Sequence, residues 1–176
     1  MDEATISVRA LEPTDIDLFY QWENDPDVWH AGNTIAPYSR FVLEQYLVNS
    51  HEDIFSTKQL RLMIEFNDGI SEPVAVGSID LFDFEPLHRR IGVGILIARE
   101  HRQKGFAKQA LNLILDYCYN TLNIHQVFCN IEGDNYDSIK LFKNLGFVEC
   151  GCKKQWLWRN HEWIDEIMYQ HFNNHK

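Results

Sequence analysis

The sequence lacks several features that define whole classes of protein. Its four cysteines form no C-x-x-C pair, and neither they nor the eight histidines show the short spacings of a metal site. The longest uninterrupted apolar run, residues 91–98, is too short to span a bilayer, and the acidic start MDEATISVRA does not resemble a secretion signal. We therefore expect free thiols in a reducing compartment, no required metal, no membrane partner and a cytoplasmic location.

Positive charge is also scarce. Sixteen Lys and Arg residues stand against 26 Asp and Glu residues, which gives a formal net charge of -10. Broad nucleic-acid binding needs a basic face that displaces counterions, so nucleic acid is excluded as a partner. The excess of carboxylates is compatible with a cationic substrate, although solubility alone is the simpler explanation of an acidic surface.

The residues that are present predict one domain, residues 1–176, because 45% of them are hydrophobic and no repeat or linker divides the chain. Hydrophobic periodicity predicts helices that begin near Pro13 and at Ser39 and others at 106–120 and 135–145, with strands at 6–11, 59–66, 73–82, 91–98 and 125–132 and two more around 159–162. Strand 91–98 is apolar on both faces and should be central. The aromatic residues around Trp156 and Trp158 are interpreted as core and edge packing.

The stretch HRQKGFAKQA, residues 101–110, places three cations around a lone glycine just before a predicted helix. The first amides of a helix have no partner within it, and together with the positive end of the helix dipole they form an anion site. Gly105 lets backbone approach a ligand closely, and Ala107 continues that clearance. The spacing fits neither a Walker loop nor a G-x-G-x-x-G fingerprint, so it predicts a different phosphate site.

Two motifs carry a resemblance to a known family. The run R-Q-K-G-F-A (102–107) resembles the [QR]-x-x-G-x-[GA] acetyl-CoA motif of the GNAT superfamily of N-acetyltransferases, and N-Y-D-S-I-K-L-F-K-N-L-G-F (135–147) is similar to its second motif. The opening V-R-A-L-E-P-T-D and the closing strands resemble the branch that holds spermidine and ribosomal-protein N-terminal acetyltransferases. Within that branch the chain looks closest to the spermidine enzymes.

This resemblance implies an α+β fold with a mixed, mostly antiparallel twisted sheet, splayed central strands and flanking helices. It also implies acetyl-CoA as the co-substrate, with its pantetheine arm between strands 91–98 and 125–132. The implied cofactor contacts are the backbone of Ile95, Leu96 and Ile97 for the arm, then Arg102, Gln103, Lys104, Gly105, Phe106 and Ala107 for the pyrophosphate, with Asn135, Lys143 and Asn144 nearby. The amide of Ile97 is expected to stabilise the oxyanion.

One catalytic position departs from the family's pattern. Phe142 stands where the second motif usually has a tyrosine that protonates the leaving thiolate, and a phenylalanine has no proton to donate. Because a thiol with a pKa of about 8.5 is already a fair leaving group, transfer does not require that acid. Tyr136 and Tyr119 are alternative acids.

The general base is also left open by the sequence. Five titratable residues lie on or after strands that can line the acceptor side, and these are Glu65, Asp80, Asp83, Glu85 and His88. Glu85 is preferred because its loop leads directly into the central strand. For each of the five, an outward-facing or solvated position is the simpler interpretation.

Acceptor recognition is assigned to the first two helices and the segment between them, where Trp22, Glu23 and Trp29 could contact an ammonium group, although N-D-P-D is also ordinary turn chemistry. The leading hypothesis is acetyl transfer to a small-molecule primary amine, such as spermidine, by direct attack in a ternary complex. The alternatives are acetylation of a protein N-terminus and a weakly active acetyl-CoA sensor. Homo-oligomerisation is left open.

Overall fold

A seven-stranded sheet organises the chain, and the computed structural model describes it in residues 4–26, 28 and 36–173. The strand order is β1-β2-β3-β4-β5-β7-β6. The strands are β1 (Thr5–Ala10), β2 (Leu60–Asn67), β3 (Val74–Glu85), β4 (Arg90–Ile97), β5 (Gln126–Glu132), β6 (Val148–Arg159) and β7 (Glu162–Phe172). Every neighbouring pair is antiparallel except β4 and β5.

Five helices of the described chain flank this sheet. A short 3-10 turn (Pro13–Asp15) leads into α1 (Ile16–Glu23), and α2 (Arg40–Asn49) and α3 (Ile54–Thr57) follow before β2. The α4 helix (Phe106–Asp116) continues into a π-helical turn (Tyr117–Thr121), and α5 (Tyr136–Asn144) follows β5. As predicted, the Ser39 side chain caps α2 by accepting a hydrogen bond from the amide of Val42, and Gly146 follows α5 with a φ of 90°.

Alternation along the strands divides the core between the two faces of the sheet. Ile91 and Val93 of β4 pack with residues of α4 and α5. Leu96 of β4 packs with Phe19 and Leu43 of α1 and α2 on the other face. We call the first the helix-α4 face and the second the helix-α1 face.

The central strands part soon after they meet. The parallel pairing of β4 with β5 covers only Arg90 with Gln126, Ile91 with Val127 and Gly92 with Phe128. Beyond these pairs β4 continues to Ile97 and β5 to Glu132, but the two strands no longer pair with each other. This leaves a gap between them that widens toward their carboxyl ends. The predicted mixed sheet with splayed central strands is therefore confirmed.

Of the core and edge packing predicted around Trp156 and Trp158, only the edge packing is confirmed. Trp156, Trp158 and Trp163 are 56–58% exposed, so they are not core residues. Trp158 and Trp163 do pack against each other across the β6–β7 hairpin, with ring centroids 5.0 Å apart.

Two further searches covered the described residues only. No helix there is both long enough and apolar enough to cross a membrane. No group of three or more His, Cys, Asp or Glu side chains is arranged there to hold a metal ion.

Candidate active site

The open side of β4 is lined by backbone groups. The amide of Ala98 donates to the carbonyl of Val76, so Ala98, and with it Leu96 and Gly94, directs its backbone toward β3. Backbone direction alternates along an antiparallel strand, so Val93, Ile95 and Ile97 direct theirs toward β5. The pairing of Gly92 with Phe128 engages the amide of Val93, and Ile95 and Ile97 lie beyond it, at the gap. Ile95 and Ile97 therefore fit the predicted backbone contacts, whereas the backbone of Leu96 is committed to β3.

Aromatic rings and two glycines mark the point where the strands part, on the helix-α1 face. A Cβ on Gly92 would come within 2.3 Å of the Phe82 ring, so the ring occupies the space that a side chain would need. The half-buried Phe82 and Phe128 rings meet edge to face with centroids 5.8 Å apart. Gly94 is the next residue on this face, and its backbone is partly exposed.

The loop after β4 has the geometry of an anion site. Gly105 precedes α4 with a φ of 80°, a left-handed conformation that favours glycine. No described atom lies within 4 Å of the position that a Gly105 Cβ would take, so the space in front of the helix start is open. The first-turn amides of Phe106 and Ala107 face this end of the helix. The loop therefore fits a pyrophosphate group, which the sequence predicted.

The cationic side chains around this loop are exposed, and one of them contacts β4. Arg102 donates from Nε to the carbonyl oxygen of Ile97 at 3.0 Å, which holds its guanidinium between the loop and the gap. Lys104 lines a cavity of about 320 Å³ together with the stacked rings of Phe66 and Phe106. Gln103 has a φ of 61° and is exposed. The predicted pyrophosphate residues thus lie together on one surface.

The residues predicted on the second motif are divided between the two ends of α5. Asn135 caps the helix by accepting from the amide of Ser138 at 3.1 Å, and it lies just after β5, at the open end of the gap. Lys143 and Asn144 lie at the far end of a nine-residue helix, about 13 Å away. The Lys143 ammonium lies 5.6 Å from the centre of the Tyr169 ring. Asn135 is the member of the set nearest the gap.

Phe142 is a core residue, only 4% exposed, and its ring meets that of Phe147 edge to face at 4.9 Å. Of the alternative acids, Tyr119 lies on the turn after α4, where its hydroxyl is 2.5 Å from Nδ1 of His171. His171 pairs with Val127 near the start of β5, away from the open end of the gap. Tyr136, at the first position of α5, is 75% exposed. The packing therefore favours no tyrosine as a replacement for the missing acid.

The five candidate bases occupy different parts of the sheet. Glu85 pairs with Arg90 at the start of β4, about 23 Å along the strand from Ile97 at roughly 3.3 Å per residue. Its carboxylate accepts a hydrogen bond from the amide of Leu87. Glu85, Asp83 and His88 thus lie at the closed end, and Glu65 is bound to Arg9. We withdraw Glu85 as the base because of this separation.

Asp80 differs from the other four because it lies beside the gap. It is the cross-strand partner of Gly94, and Arg61 of β2 binds it through Nε to Oδ1 at 2.5 Å and Nη2 to Oδ2 at 3.0 Å. The same guanidinium reaches Glu23 of α1 at 2.5 Å. Glu23, predicted from the sequence, is therefore connected to the site through Arg61. We call these three side chains the Arg61 triad.

The two predicted tryptophans do not support an aromatic ammonium site. Trp22 is 6% exposed and packs with Phe19 and Leu43 under the helices, so we withdraw it as a substrate contact. Trp29 lies outside the described residues. The half-buried rings at the site are instead those of Phe82 and Phe128.

The buried cysteines are poor nucleophiles. Burial raises the pKa of Cys118 to about 12, and burial together with Cys150 raises the pKa of Cys129 to about 12. Both thiols are therefore protonated at neutral pH, which favours direct attack by the acceptor over an acetyl-cysteine intermediate. Their assignment to the core is confirmed, and Cys150 and Cys152 are exposed free thiols.

Sequence reasoning missed the role of the glycines in IGVGILIA. Gly92 and Gly94 are two residues apart and so lie on the same face of β4. Glycine inside a strand often marks a close approach of backbone or ligand, and this spacing could have indicated the face on which the acceptor approaches. No sequence signal indicated that Arg61 of β2 joins Asp80 to Glu23.

A family model described as an acetyltransferase (GNAT) domain matches residues 6–148 of the chain. Among curated proteins, the chain is 29% identical over 149 residues to the spermidine N(1)-acetyltransferase of Vibrio cholerae, covering 83% of this chain and 80% of that one. It is 28% identical over 146 residues to the spermidine N(1)-acetyltransferase of Escherichia coli K12, covering 81% and 73%.

Solved structures show the same similarity. The spermidine N-acetyltransferase of Vibrio cholerae in complex with CoA and spermine is 27% identical, with a TM-score of 0.80 and coverage of 95% of both chains. A dodecameric structure of the Vibrio cholerae enzyme is 28% identical, with a TM-score of 0.76 and coverage of 95% of this chain and 93% of that one. These similarities extend over nearly the whole sheet described above.

Proposed function

The chain belongs to the GNAT family of acetyltransferases, and from that premise we propose that it moves an acetyl group from acetyl-CoA to a primary amine, with a polyamine such as spermidine as the acceptor. Acetyl-CoA-dependent acyl transfer follows from the family. The choice of a polyamine is supported by the spermidine acetyltransferases among the relatives and by the carboxylate of Asp80 beside the gap.

The gap between β4 and β5 is the observation that carries this proposal. It leaves the amides and carbonyls of Ile95 and Ile97 without a strand partner, and it ends at the loop whose open space lies in front of Gly105. An extended chain with amide groups can pair with such a strand edge as another strand would. The pantetheine arm of acetyl-CoA has that chemistry, and its pyrophosphate fits the helix start.

The residues at the gap determine how the transfer can proceed. If the arm enters from the Gly105 loop, the amides of Ile97 and Ile95 are successive donors on its path, and the oxyanion of the tetrahedral intermediate forms against one of them. The amine attacks from the helix-α1 face, where Gly94 leaves the strand uncovered. The neutral amine forms the carbon–nitrogen bond, the carbon–sulfur bond breaks, the nitrogen releases one proton to water, and the thiolate takes one proton from water because Phe142 cannot supply it.

An acceptor panel tests the proposal. The purified chain is incubated with acetyl-CoA and, separately, spermidine, an aminoglycoside and an N-terminal peptide of a ribosomal protein, while thiol release and product mass are recorded. We expect thiol release and an added acetyl group with spermidine only. Acetylation of the peptide alone would assign the chain to protein N-termini, and acetyl-CoA binding without release on any acceptor would favour a sensor.

The assembly is part of the same proposal. The dodecameric relative supports a homo-oligomer. The outer strand β6 is long, and its side chains are exposed along most of its length. It therefore offers surface for contacts between subunits. Sedimentation of the purified chain at the concentrations of the assay measures this directly.

A further inference from the structure

We propose that Asp80 binds a second, non-reacting ammonium group of the acceptor and so makes this chain select diamines and polyamines over monoamines. The inference rests on the proposed amine acetylation and extends it by assigning acceptor choice to one residue. Four observations support it, namely the register of Asp80, the space beside it, its pairing with Arg61 and its exposure.

The register places Asp80 next to the reaction path. It pairs with Gly94, and the following residue, Ile95, directs its backbone into the gap. Neighbouring strands lie about 4.8 Å apart, so Asp80 of β3 is about one strand spacing from β4 and about two, roughly 10 Å, from a group that takes the place of the next strand in the gap. A group that attacks from the helix-α1 face passes the Asp80 carboxylate.

The space beside Asp80 is bounded by a carboxylate side chain, which attracts a cation. The nearest atoms to a Cβ built on Gly94 would be Phe82 Cε1 at 3.9 Å and Asp80 Cβ at 4.0 Å. The floor of this space is therefore bare backbone, and it is bounded by the Asp80 side chain and by the Cε1 edge of the Phe82 ring. The carboxylate attracts an alkylammonium group, and the aliphatic part of the same ligand can pack against the ring.

Arg61 holds the Asp80 carboxylate in a fixed orientation. Burial lowers the pKa of Arg61, but Asp80 and Glu23 raise it by more, so the guanidinium stays charged. Arg61 binds both oxygens of Asp80 and fixes their orientation, yet a carboxylate has about four acceptor sites and retains capacity for another donor.

Exposure singles out Asp80 as the triad member that a ligand can reach. Its side chain is 32% exposed, against 18% for both Arg61 and Glu23. Carboxylates in general are far weaker bases than an amine of pKa about 10.4, so Asp80 is better suited to binding an ammonium group than to deprotonating one. The ammonium held there stays charged and lowers the pKa of the reacting amine further along the same molecule.

The decisive measurement compares two acceptors that differ by one amine. The kcat/KM for 1,4-diaminobutane and for n-butylamine is measured with the unmodified chain, by thiol release and product mass. We expect the diamine to be preferred by at least about tenfold, as one charge-assisted contact provides. In Asp80→Asn the preference should fall toward one. Asp80→Glu should restore part of it because it retains the charge.

Asp83→Asn is the matched control, because Asp83 lies three residues further along the same strand with a φ of 50° that asparagine tolerates. It should retain the preference of the unmodified chain. Thermal unfolding shows whether each variant folds, and if Asp80→Asn does not, the preference of the unmodified chain decides alone.

The proposed role of Asp80 is wrong if Asp80→Asn lowers kcat/KM equally for both amines, or if the unmodified chain shows no preference for the diamine. Amine acetylation would stand in either case. If the unmodified chain acetylates no amine, the proposed function fails, and the proposed role of Asp80 fails with it.

Discussion

Phe142 combines a packing role with a missing chemical role. Its ring is buried against Phe147, which explains why an apolar side chain is stable there. A hydroxyl added at this position must find a partner, because an unpartnered buried hydroxyl costs about 1–3 kcal/mol. In the second motif of this family, the hydroxyl usually found at this position protonates the departing thiolate.

We therefore predict that Phe142→Tyr raises kcat for the best acceptor at least about fivefold, because a positioned acid accelerates departure of the thiolate. The KM for acetyl-CoA should stay within about twofold, and the melting temperature should fall slightly. Steady-state kinetics and thermal unfolding measure the two effects. Phe142→Leu, which changes the packing without adding an acid, is the control, and a kcat that stays level in Phe142→Tyr would show that protonation is not limiting.

At the scale of elements, the loop and the start of α4 act as one unit. Gly105 provides the left-handed turn, and the open space in front of it admits a ligand. A side chain at this position is strained by about 1–2 kcal/mol whatever its size, but only a large one also fills the ligand space.

Gly105→Leu should therefore raise the KM for acetyl-CoA by at least about tenfold and leave the KM for the amine nearly unchanged. The matched control is Gly69→Leu, because Gly69 has a similar φ of 74° on an exposed turn between β2 and β3. Initial rates with varied acetyl-CoA give both constants. Equal effects in the two variants would mean that strain, and not the ligand space, controls the result.

How well each element could be predicted depends on whether its sequence signal is local or comes from residues far apart in the chain. Strand β4 and helix α4 could be predicted because apolar periodicity and a start signal are local properties. The cofactor loop could be predicted because its contacts come from consecutive backbone. The acceptor side could not, since Asp80, Arg61 and Glu23 come from three elements. The pairing of β2 with β3 brings Arg61 to Asp80, and the position of α1 on the sheet brings Glu23 to Arg61.

Glu85 illustrates the same limit of prediction from the sequence, here for a residue that was wrongly placed at the site. Its loop does lead directly into the central strand, as the sequence suggested, but a strand has two ends and the gap opens only at the other one.

At the scale of the whole molecule, charge and fold act together. The chain has a formal net charge of -10, and the partly exposed Asp80 carboxylate lies where we propose that the acceptor binds. An acidic surface raises the local concentration of a cationic substrate. At 0.1 M salt the Debye length is about 10 Å, so the attraction between charges farther apart than this is largely screened.

We predict that kcat/KM for spermidine falls about three- to tenfold between about 50 and 300 mM sodium chloride, because both steering and the Asp80 contact are screened. The value for n-butylamine, with a single charge, should fall less. Initial rates at a fixed, saturating acetyl-CoA concentration measure this, and identical salt dependence for the two amines would contradict it.

The alternation of β4 also has a consequence for isotope labelling. On the β3 side, the amides of Gly92, Gly94 and Leu96 point into the ladder, and the amide of Val93 is engaged by the pairing of Gly92 with Phe128 of β5, whereas those of Ile95 and Ile97 point into the gap. In deuterium oxide the carboxyl-terminal half of this strand should therefore alternate between slowly exchanging amides at Gly94 and Leu96 and rapidly exchanging ones at Ile95 and Ile97. A bound cofactor would convert the fast set to slow, so the strand itself reports whether the sheet has been completed.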